Sequence, residues 1–479
     1  MSAAGTVHVE LRGGAYADSV ALLQVSRRVT DQPGVAAAQV AMATPLNVEV
    51  LTQMGFAVPA EATANDMVVA IRLAEDSAGD ALDGALAAVD TALAGRGSAP
   101  GPAEVARPRT AGAALRGVPD ALTLVSVPGA SALVEAMDAL DAGRDVMLFS
   151  DNVPVDQEVA LKRVATERGL LVMGPDCGTA VLGGVGLGFA NAVSPGPVGI
   201  VAASGTGCQQ LLALLHHAGV GVGHALGVGG HDLSAEVGGL STRDALLRLD
   251  RDPTVELVVL VSKPPAADVA AALEEYAASL ATPVELAFLG AGRPDLTAVT
   301  ERVLARLDRQ VPAWPVVGRA EPLVQGGTVL HGLFVGGTLC EEAWLIASEI
   351  HGDQTSRVCD FVDFGADELT QGRAHPMIDP TLRLEHLARV ADDERTAGVL
   401  LDVVLGHGAE PDPAGRLAPA IEAARALRPL PVVVTMVGTD LDPQRLGDQL
   451  SALTAAGAET HFSNAGATRR ALELLGGPR

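Results

Sequence analysis

Ser204, Gly205, Thr206 and Gly207 stand between a short apolar, β-branched run, Val198 to Ala202, and an amphipathic run carrying Leu211, Leu212, Leu214 and Leu215. Strand, Gly-rich turn, helix is an order that aims unpaired backbone N–H groups and the positive end of the helix dipole at the turn. The two glycines admit close approach, and the two hydroxyls add donors. The turn therefore suits an anion, most simply a phosphate. Taken alone, the same residues also read as a plain strand-to-helix connection.

Other reactive residue types stand where strands end. Asn152 and Asp176 close consecutive strands, the place where doubly wound sheets bind ligands, although either residue could instead cap a helix. Gly229, Gly230 and His231 follow the strand His224 to Val228, and Lys263 precedes two prolines after the strand Glu256 to Val261. In so acidic a chain, Lys263 is suited to pairing with substrate charge. His375 stands in a polar loop between Arg373 and Asp379. It reads as an anion-contacting or acid/base histidine beside an arginine that binds carboxylate or phosphate, or as a loop-shaping histidine bonded to Asp379. His407, between Gly406 and Gly408, reads as a phosphate contact or as a capping or surface histidine. Cys177 has no histidine nearby in sequence to activate it and reads as a small buried thiol. His216 and His217 share a helix face and read as structural. No His/Cys/Asp/Glu spacing resembles a metal cage.

The elements that must position these residues are those of an α/β protein. Residues 1–94 alternate three strands with three helices, an α/β sandwich of ferredoxin-like type. A linker rich in Gly and Pro opens the stretch 95–118. Residues 119–195 repeat strand and helix in a Rossmann-like pattern. No GxGxxG follows the first strand and no acidic residue sits at the ribose-reading spacing, so NAD is not expected. Residues 196–310 and 311–479 each repeat the theme. The units 196–290 and 398–479 share apolar strand, Gly-rich turn and helix, which hints at a duplication.

At about 100–200 residues per domain, 479 residues hold three or four domains. Hydrophobic residues make up 48% but aromatics only 3%, so the cores must be built from Ala, Val and Leu. The formal charge of −25 opposes binding to nucleic acid or to an anionic membrane surface. Four cysteines far apart, with no CxxC, fit a reducing cytoplasm. The first residues lack the charged and apolar regions of a signal peptide, and no apolar stretch approaches the ~20 residues of a membrane helix.

The ordered series SDNV (150–153), MGPDCGT (173–179), GIVAASGTG (199–207), GVGGHDLSAEVGG (227–239), VSKPP (261–265), GGTL (336–339), HPMIDPTLR (375–383) and LLDVVLGHGAEPDP (400–413) resembles the FdrA family, which is related to succinyl-CoA synthetase. The resemblance implies a CoA-binding-type domain followed by two flavodoxin-like ligase domains, alpha-like then beta-like. In succinyl-CoA synthetase, two helix N-termini pinch one phosphoryl group carried by a histidine. By resemblance, Ser204 to Gly207 is the first helix start and Leu405 to Glu410 the second, and the loop of His231 lies near the phosphate. The phospho-carrying histidine is missing here: its position reads Gly290-Ala291-Gly292-Arg293-Pro294. No ATP-grasp domain is evident.

What the resemblance implies is a phosphate clamp without a carrier. The family is associated with carbamoyl transfer in allantoin degradation, as the large subunit of an oxamate carbamoyltransferase with smaller partner subunits. The implied partners are carbamoyl phosphate, a small carboxylated amide such as oxamate, and other subunits of a hetero-oligomer. Under this reading no cofactor is assigned. The alternative is a CoA-dependent acid–thiol ligase, which brings CoA and ATP, and a third reading is a non-catalytic scaffold or regulatory subunit.

Overall fold

The computed structural model describes residues 6–475, apart from 14, 16, 18, 75–76, 78, 95–107, 322–326 and 371–372. It divides into two compact units, Met1–Arg107 with Gly365–Leu382, and Pro108–Phe364 with Arg383–Arg479.

The first unit runs β1 (Val7–Gly13), α1 (Ser19–Thr30), β2 (Val35–Met42), α2 (Pro45–Gln53), β3 (Asp66–Leu73) and α3 (Ala81–Ala94). Its sheet has the order β1-β3-β2, with β3 antiparallel to both neighbours. The two-residue period of β3 explains the layering. Met67, Val69 and Ile71 face a core shared with Leu22, Val25 and Val29 of α1 and Ala85 and Val89 of α3. Val68 and Ala70 face Leu51 and Phe56. This is the expected ferredoxin-like sandwich. The segment Gly365–Leu382 belongs to it: Arg27 donates from Nη2 to the carbonyl of Ile378 at 3.2 Å, and Pro376 and Met377 are buried. The Gly/Pro-rich part of the expected linker, 95–103, lies outside the described residues.

The second unit opens with α4 (Ala111–Leu115), β4 (Thr123–Val125), α5 (Gly129–Asp141), β5 (Val146–Leu148), α6 (Val155–Glu167) and β6 (Val172–Met173). Its three strands form a parallel sheet, β4-β5-β6. A hairpin follows, β7 (Thr179–Leu182) and β8 (Val185–Gly188), turned at Gly183 and Gly184 with φ of 58° and 82°. Positive φ at both central residues is what a tight hairpin turn requires. This hairpin differs from the expectation that residues up to 195 form one Rossmann-like domain. It joins the next sheet, where β7 pairs antiparallel with a later strand and Val181 is buried in that sheet's core.

That sheet holds β9 (Val198–Ala203), α7 (Gly205–His217), β10 (Val222–Gly227), α8 (Leu240–Asp250), β11 (Leu257–Ser262), α9 (Ala267–Ala278), β12 (Val284–Phe288) and α10 (Leu296–Arg306), with strand order β12-β11-β9-β10-β7-β8. The third sheet holds β13 (Val316–Val317), β14 (Val329–Phe334), α11 (Gly337–His351), α12 (Thr355–Val358) and β15 (Cys359–Asp363). After α13 (Asp367–Thr370) of the first unit come α14 (Thr381–Asp392), β16 (Thr396–Val404), α15 (Pro413–Leu427), β17 (Val432–Val437), α16 (Leu446–Ala455), β18 (Glu459–His461) and α17 (Asn464–Leu474). Its order is β13-β18-β17-β16-β14-β15. Strands β9, β11, β16 and β17 are buried along their whole lengths, as continuous apolar runs in parallel sheets are.

The two sheets repeat one plan, β11-β9-β10 matching β16-β14-β15. The repeat thus relates 198–306 to 329–474, not 196–290 to 398–479. It is also written in the chain: Gly205–Gln210 reads GTGCQQ and Gly337–Glu342 reads GTLCEE. The sixth residue of each helix holds the start of the opposite sheet's last helix. Gln210 Oε1 accepts from Asn464 N at 3.2 Å, and Glu342 Oε1 accepts from Leu296 N at 2.7 Å.

Candidate active site

β9 ends at Ala203 and is followed by Ser204, whose extended backbone makes it the N-cap of α7, with Oγ accepting from Gly207 N at 3.0 Å. The partner across the interface is not the expected turn. Ser204 Oγ lies 2.6 Å from Thr338 Oγ1, in the first turn of α11. A Cβ on Gly336, the N-cap of α11, would lie 2.9 Å from Thr206, and one on Gly207 would lie 3.1 Å from Thr338. Two helix starts therefore meet at Ser204–Gly207 and Gly336–Thr338.

Gly336 supplies no side-chain cap to α11. The turn is held instead by Asp402 of β16, whose two oxygens accept from Val335 N at 2.8 Å and Gly336 N at 2.9 Å. Arg383 lies 3.1 Å from Asp402 and donates to the carbonyls of Leu333 and Asp402. Burial pushes the Asp402 carboxyl up to about 6, against the opposing pull of Arg383 and the two N–H donors. At the first residue of α11, a Cβ on Gly337 would lie 2.8 Å from Lys263 Nζ and would collide with Asp363 Oδ2. The ammonium and the carboxylate thus converge on this helix start. Lys263 is exposed; the chain's other lysine, Lys162, is wholly buried. Sequence reasoning named Lys263 but missed Thr338, Asp363 and Asp402. The repeat GTGCQQ/GTLCEE was the signal for Thr338.

The stretch Leu405–Glu410 is not a helix start. α15 begins at Pro413, capped by Asp412, whose Oδ1 accepts from Gly415 N at 3.0 Å. Gly406 N donates to Gln444 Oε1 at 3.1 Å and His407 N to the carbonyl of Ala190 at 2.8 Å. These two N–H groups are engaged within the protein, which corrects the expectation that Gly406 offers its N–H to phosphate. The loop does reach α7: Gln209 Nε2 donates to the carbonyl of Leu405 at 3.4 Å, as Asn191 Nδ2 does at 3.0 Å. Gly408 packs on Gly188 and Phe189 of the hairpin segment, and His407 is exposed beside Gly186.

The loops after β5, β6 and β10 meet one another. Asp176 N donates to the carbonyl of Ser150 at 2.9 Å, and Gly229, at φ 92°, lies against the carbonyl of Pro175. Asn152 and Asp176, at φ 52° and 54°, are exposed at this end, as are Gly230 and His231. His231 Nδ1 stands 3.7 Å from Glu158, which joins Lys162 Nζ at 2.6 Å; Lys162 also bonds Asp232 at 2.7 Å and the carbonyl of Val228 at 2.9 Å. Asp232 accepts from the N–H groups of Ser241 and Thr242 at the start of α8. Cys177 is buried beneath, its thiol pushed up to about 12 by burial, so it is no nucleophile at neutral pH.

Arg373, His375 and Asp379 belong to the first unit. His375 Nδ1 accepts from Met377 N at 3.2 Å, and its carbonyl accepts from Ile378 N and Asp379 N. Asp379 Oδ1 accepts from Thr381 N and Oγ1 at the start of α14. Burial lowers the His375 imidazole to about 4. Arg373 keeps a buried Nη1 with no hydrogen-bond partner among the described residues.

The AllF heavy metal-associated domain model matches residues 1–108, and the CoA-ligase model matches residues 333–474. YahF of Escherichia coli, an uncharacterized protein, is 37% identical over 94% of this chain and 95% of its own. The alpha subunit of malate–CoA ligase from Methylorubrum extorquens is 28% identical over 31% of this chain and 50% of its own. The alpha subunit of an ADP-forming succinate–CoA ligase from Methanothermobacter thermautotrophicus is 28% identical over 29% of this chain and 48% of its own. This chain spans about half the length of those two ligase subunits.

The heavy metal named for the first domain does not fit the residues present. Residues 1–108 contain no cysteine and one histidine, His8, and no described cluster of His, Cys, Asp or Glu could hold a metal ion. The resemblance puts the diphosphate of a CoA at the loops after β4, β5 and β6. These loops carry Asp151 and Asp176 and no lysine or arginine, and the carbonyls of Asp151 and Asn152 crowd Gly129 at the start of α5. No described helix is long and apolar enough to cross a membrane. Identity across nearly the full length of both chains settles the relationship: the protein belongs to the family of YahF, which joins an AllF-type ferredoxin-like module to CoA-ligase-type α/β domains.

Proposed function

We propose that this chain is an enzyme of acyl-phosphate chemistry, with the phosphate held between the starts of α7 and α11 and the acyl group passed directly to an acceptor. The observation that carries it is the meeting of Ser204 and Thr338, in a chain whose 290–294 turn has no histidine to carry a phosphoryl group. Two helix dipoles aimed at one anion act in the same direction. N–H groups of α11, with Lys263 beside them, would steady the charge left on phosphate as it departs.

The finer reading is carbamoyl transfer. The amide nitrogen of oxamate, or of a similar small carboxylated amide, attacks the carbonyl carbon of carbamoyl phosphate. The C–O bond to phosphate breaks, phosphate leaves with that oxygen, the nitrogen loses a proton, and oxalurate forms. No protein nucleophile is needed, and positioning supplies much of the rate. His231, His407, Asn152, Asp176, Gly229 and Gly230 would line the substrate side.

The second reading is an acid–thiol ligase. The match to the CoA-ligase model and the names of the ligase relatives favour it at the level of family. The loops around Asp151 and Asp176 oppose it. The test mixes the full chain, alone and with the proteins encoded beside it, with carbamoyl phosphate and oxamate, and separately with ATP, CoA and succinate or malate. Oxalurate and phosphate in the first mixture support carbamoyl transfer. CoA-dependent ADP formation in the second replaces it with the ligase reading, and no turnover in any mixture leaves a scaffold.

A further inference from the structure

We propose that Asp402 is the positioning residue of the clamp: from β16 its carboxylate, paired with Arg383, fixes the Val335–Gly336 turn and so sets where the N–H groups of α11 point. The proposal rests on the reading of the clamp as a phosphate site.

The two facing helices begin differently. α7 carries its own fastening in Ser204, which bonds Gly207 N. α11 begins at a glycine with no side chain to cap it, so its first turn has no fastening of its own. Strands β14 and β16 are last paired at Leu333 and Leu401, and Asp402 reaches across beyond that point to both N–H groups of the turn. Each Asp402 oxygen takes one N–H, a pattern that a carboxylate can meet and a neutral amide cannot. Arg383 is buried with it and tied to the carbonyl of Leu333. The charged and titratable groups around Asp402 are Arg383 of α14, Asp363 of β15 and Cys340 of α11, with Lys263 beside Asp363. Arg383 favours the charged form of Asp402; burial and Asp363 oppose it. Protonation of Asp402 would leave one N–H facing a hydroxyl and loosen the start of α11.

The test uses sulfate as the probe, because it stays a dianion from pH 5 to 8, and titrates the full chain by calorimetry. Wild type is expected to lose sulfate affinity as pH falls through about 6. Asp402→Asn is expected to bind at least tenfold more weakly at pH 7.5 and to lack that acid limb. Arg383→Met keeps the Asp402 bonds to the turn but removes the cation, and is expected to move the limb to higher pH; it decides the matter if Asp402→Asn does not fold. Affinity and pH profile unchanged in Asp402→Asn, or in Arg383→Met where it alone folds, overturn the positioning role and leave the clamp standing. Absence of sulfate binding by wild type overturns the clamp and the proposal with it.

Discussion

Ser204 Oγ and Thr338 Oγ1 lie 2.6 Å apart, each in the opening turn of a different helix, and both are buried. The pair joins the first turns of α7 and α11, where each helix dipole presents its positive end. Under the proposed function, removing either hydroxyl should therefore act on the fold and on phosphate binding together.

Ser204→Ala removes the cap of α7, worth about 1 kcal/mol, and leaves Thr338 without its partner in the interior, worth about 1–3 kcal/mol more. The expected outcome is a lower unfolding midpoint and weaker phosphate binding. Thr338→Ser keeps the hydroxyl and should bind phosphate like wild type. Denaturant titration and calorimetry with inorganic phosphate check both. Equal phosphate affinity in Ser204→Ala and wild type counts against the clamp. Gly207 is unsuited to such a test, because a side chain there would press on Thr338 and Val261.

Lys263 separates the two effects. It is exposed, so Lys263→Met should change stability by no more than about 0.5 kcal/mol. It should nevertheless weaken inorganic phosphate binding about tenfold, the loss of one charge-assisted contact of about 1.4 kcal/mol. The measurement is phosphate affinity at two salt concentrations. A variant that binds as tightly as wild type, with the same salt dependence, removes Lys263 from the site.

Much of this was legible in the sequence. The apolar runs of β9, β11, β16 and β17 announce buried parallel strands, and Ser204-Gly205-Thr206-Gly207 announces a helix start. The family resemblance put the second helix start at 405–410, where Gly406-His407-Gly408 follows an apolar strand. What distinguishes the two is where the N–H groups go, and that depends on Gln444 and Ala190, far off in the chain. Asp402 was hidden for the same reason. It sits inside the apolar run Leu400–Val404, where only a tertiary partner explains an acid. The hairpin at Gly183-Gly184 carries its turn residues in the sequence, but its two strands are only four residues each and β7 pairs with β10, a strand some forty residues on, which local pattern does not show.

His375 makes a prediction about pH. Its imidazole is lowered from an ordinary 6.5 to about 4 by burial, so the folded chain holds it neutral. The unfolded chain takes up the proton first as pH falls. Stability from this group is thus present above pH 6.5 and is lost between about 6.5 and 4, by roughly 1–3 kcal/mol. His375→Gln, whose side-chain oxygen can still accept from Met377 N, should flatten that part of the stability curve of the first unit. With Nδ1 taken and so low a value, His375 is a poor general base at neutral pH. A kcat profile with a histidine-like limb near 6.5 that vanishes in His375→Gln would restore it to that role.

Glu342 gives the opposite sign. Its oxygens accept from Leu296 N and Asn464 Nδ2, yet burial pushes the carboxyl up from 4.5 to about 7. The folded chain holds this proton more tightly than the unfolded one, so the contribution is greatest below 4.5 and is lost as pH rises through about 7. The matching position of the first repeat is Gln210, which makes the equivalent bond to Asn464 N as a neutral amide. Glu342→Gln therefore makes the two halves alike and should fold. It should keep the bond to Leu296 N, lose the one from Asn464, and cost about 1–2 kcal/mol near pH 5.5. The deficit should shrink above pH 7, where wild type must bury a charge and the variant does not. Urea unfolding at pH 5.5 and pH 8 measures both differences. A deficit that stays the same at the two pH values would mean that Glu342 is held as a carboxylate throughout and that the interface between the repeats is built on its charge.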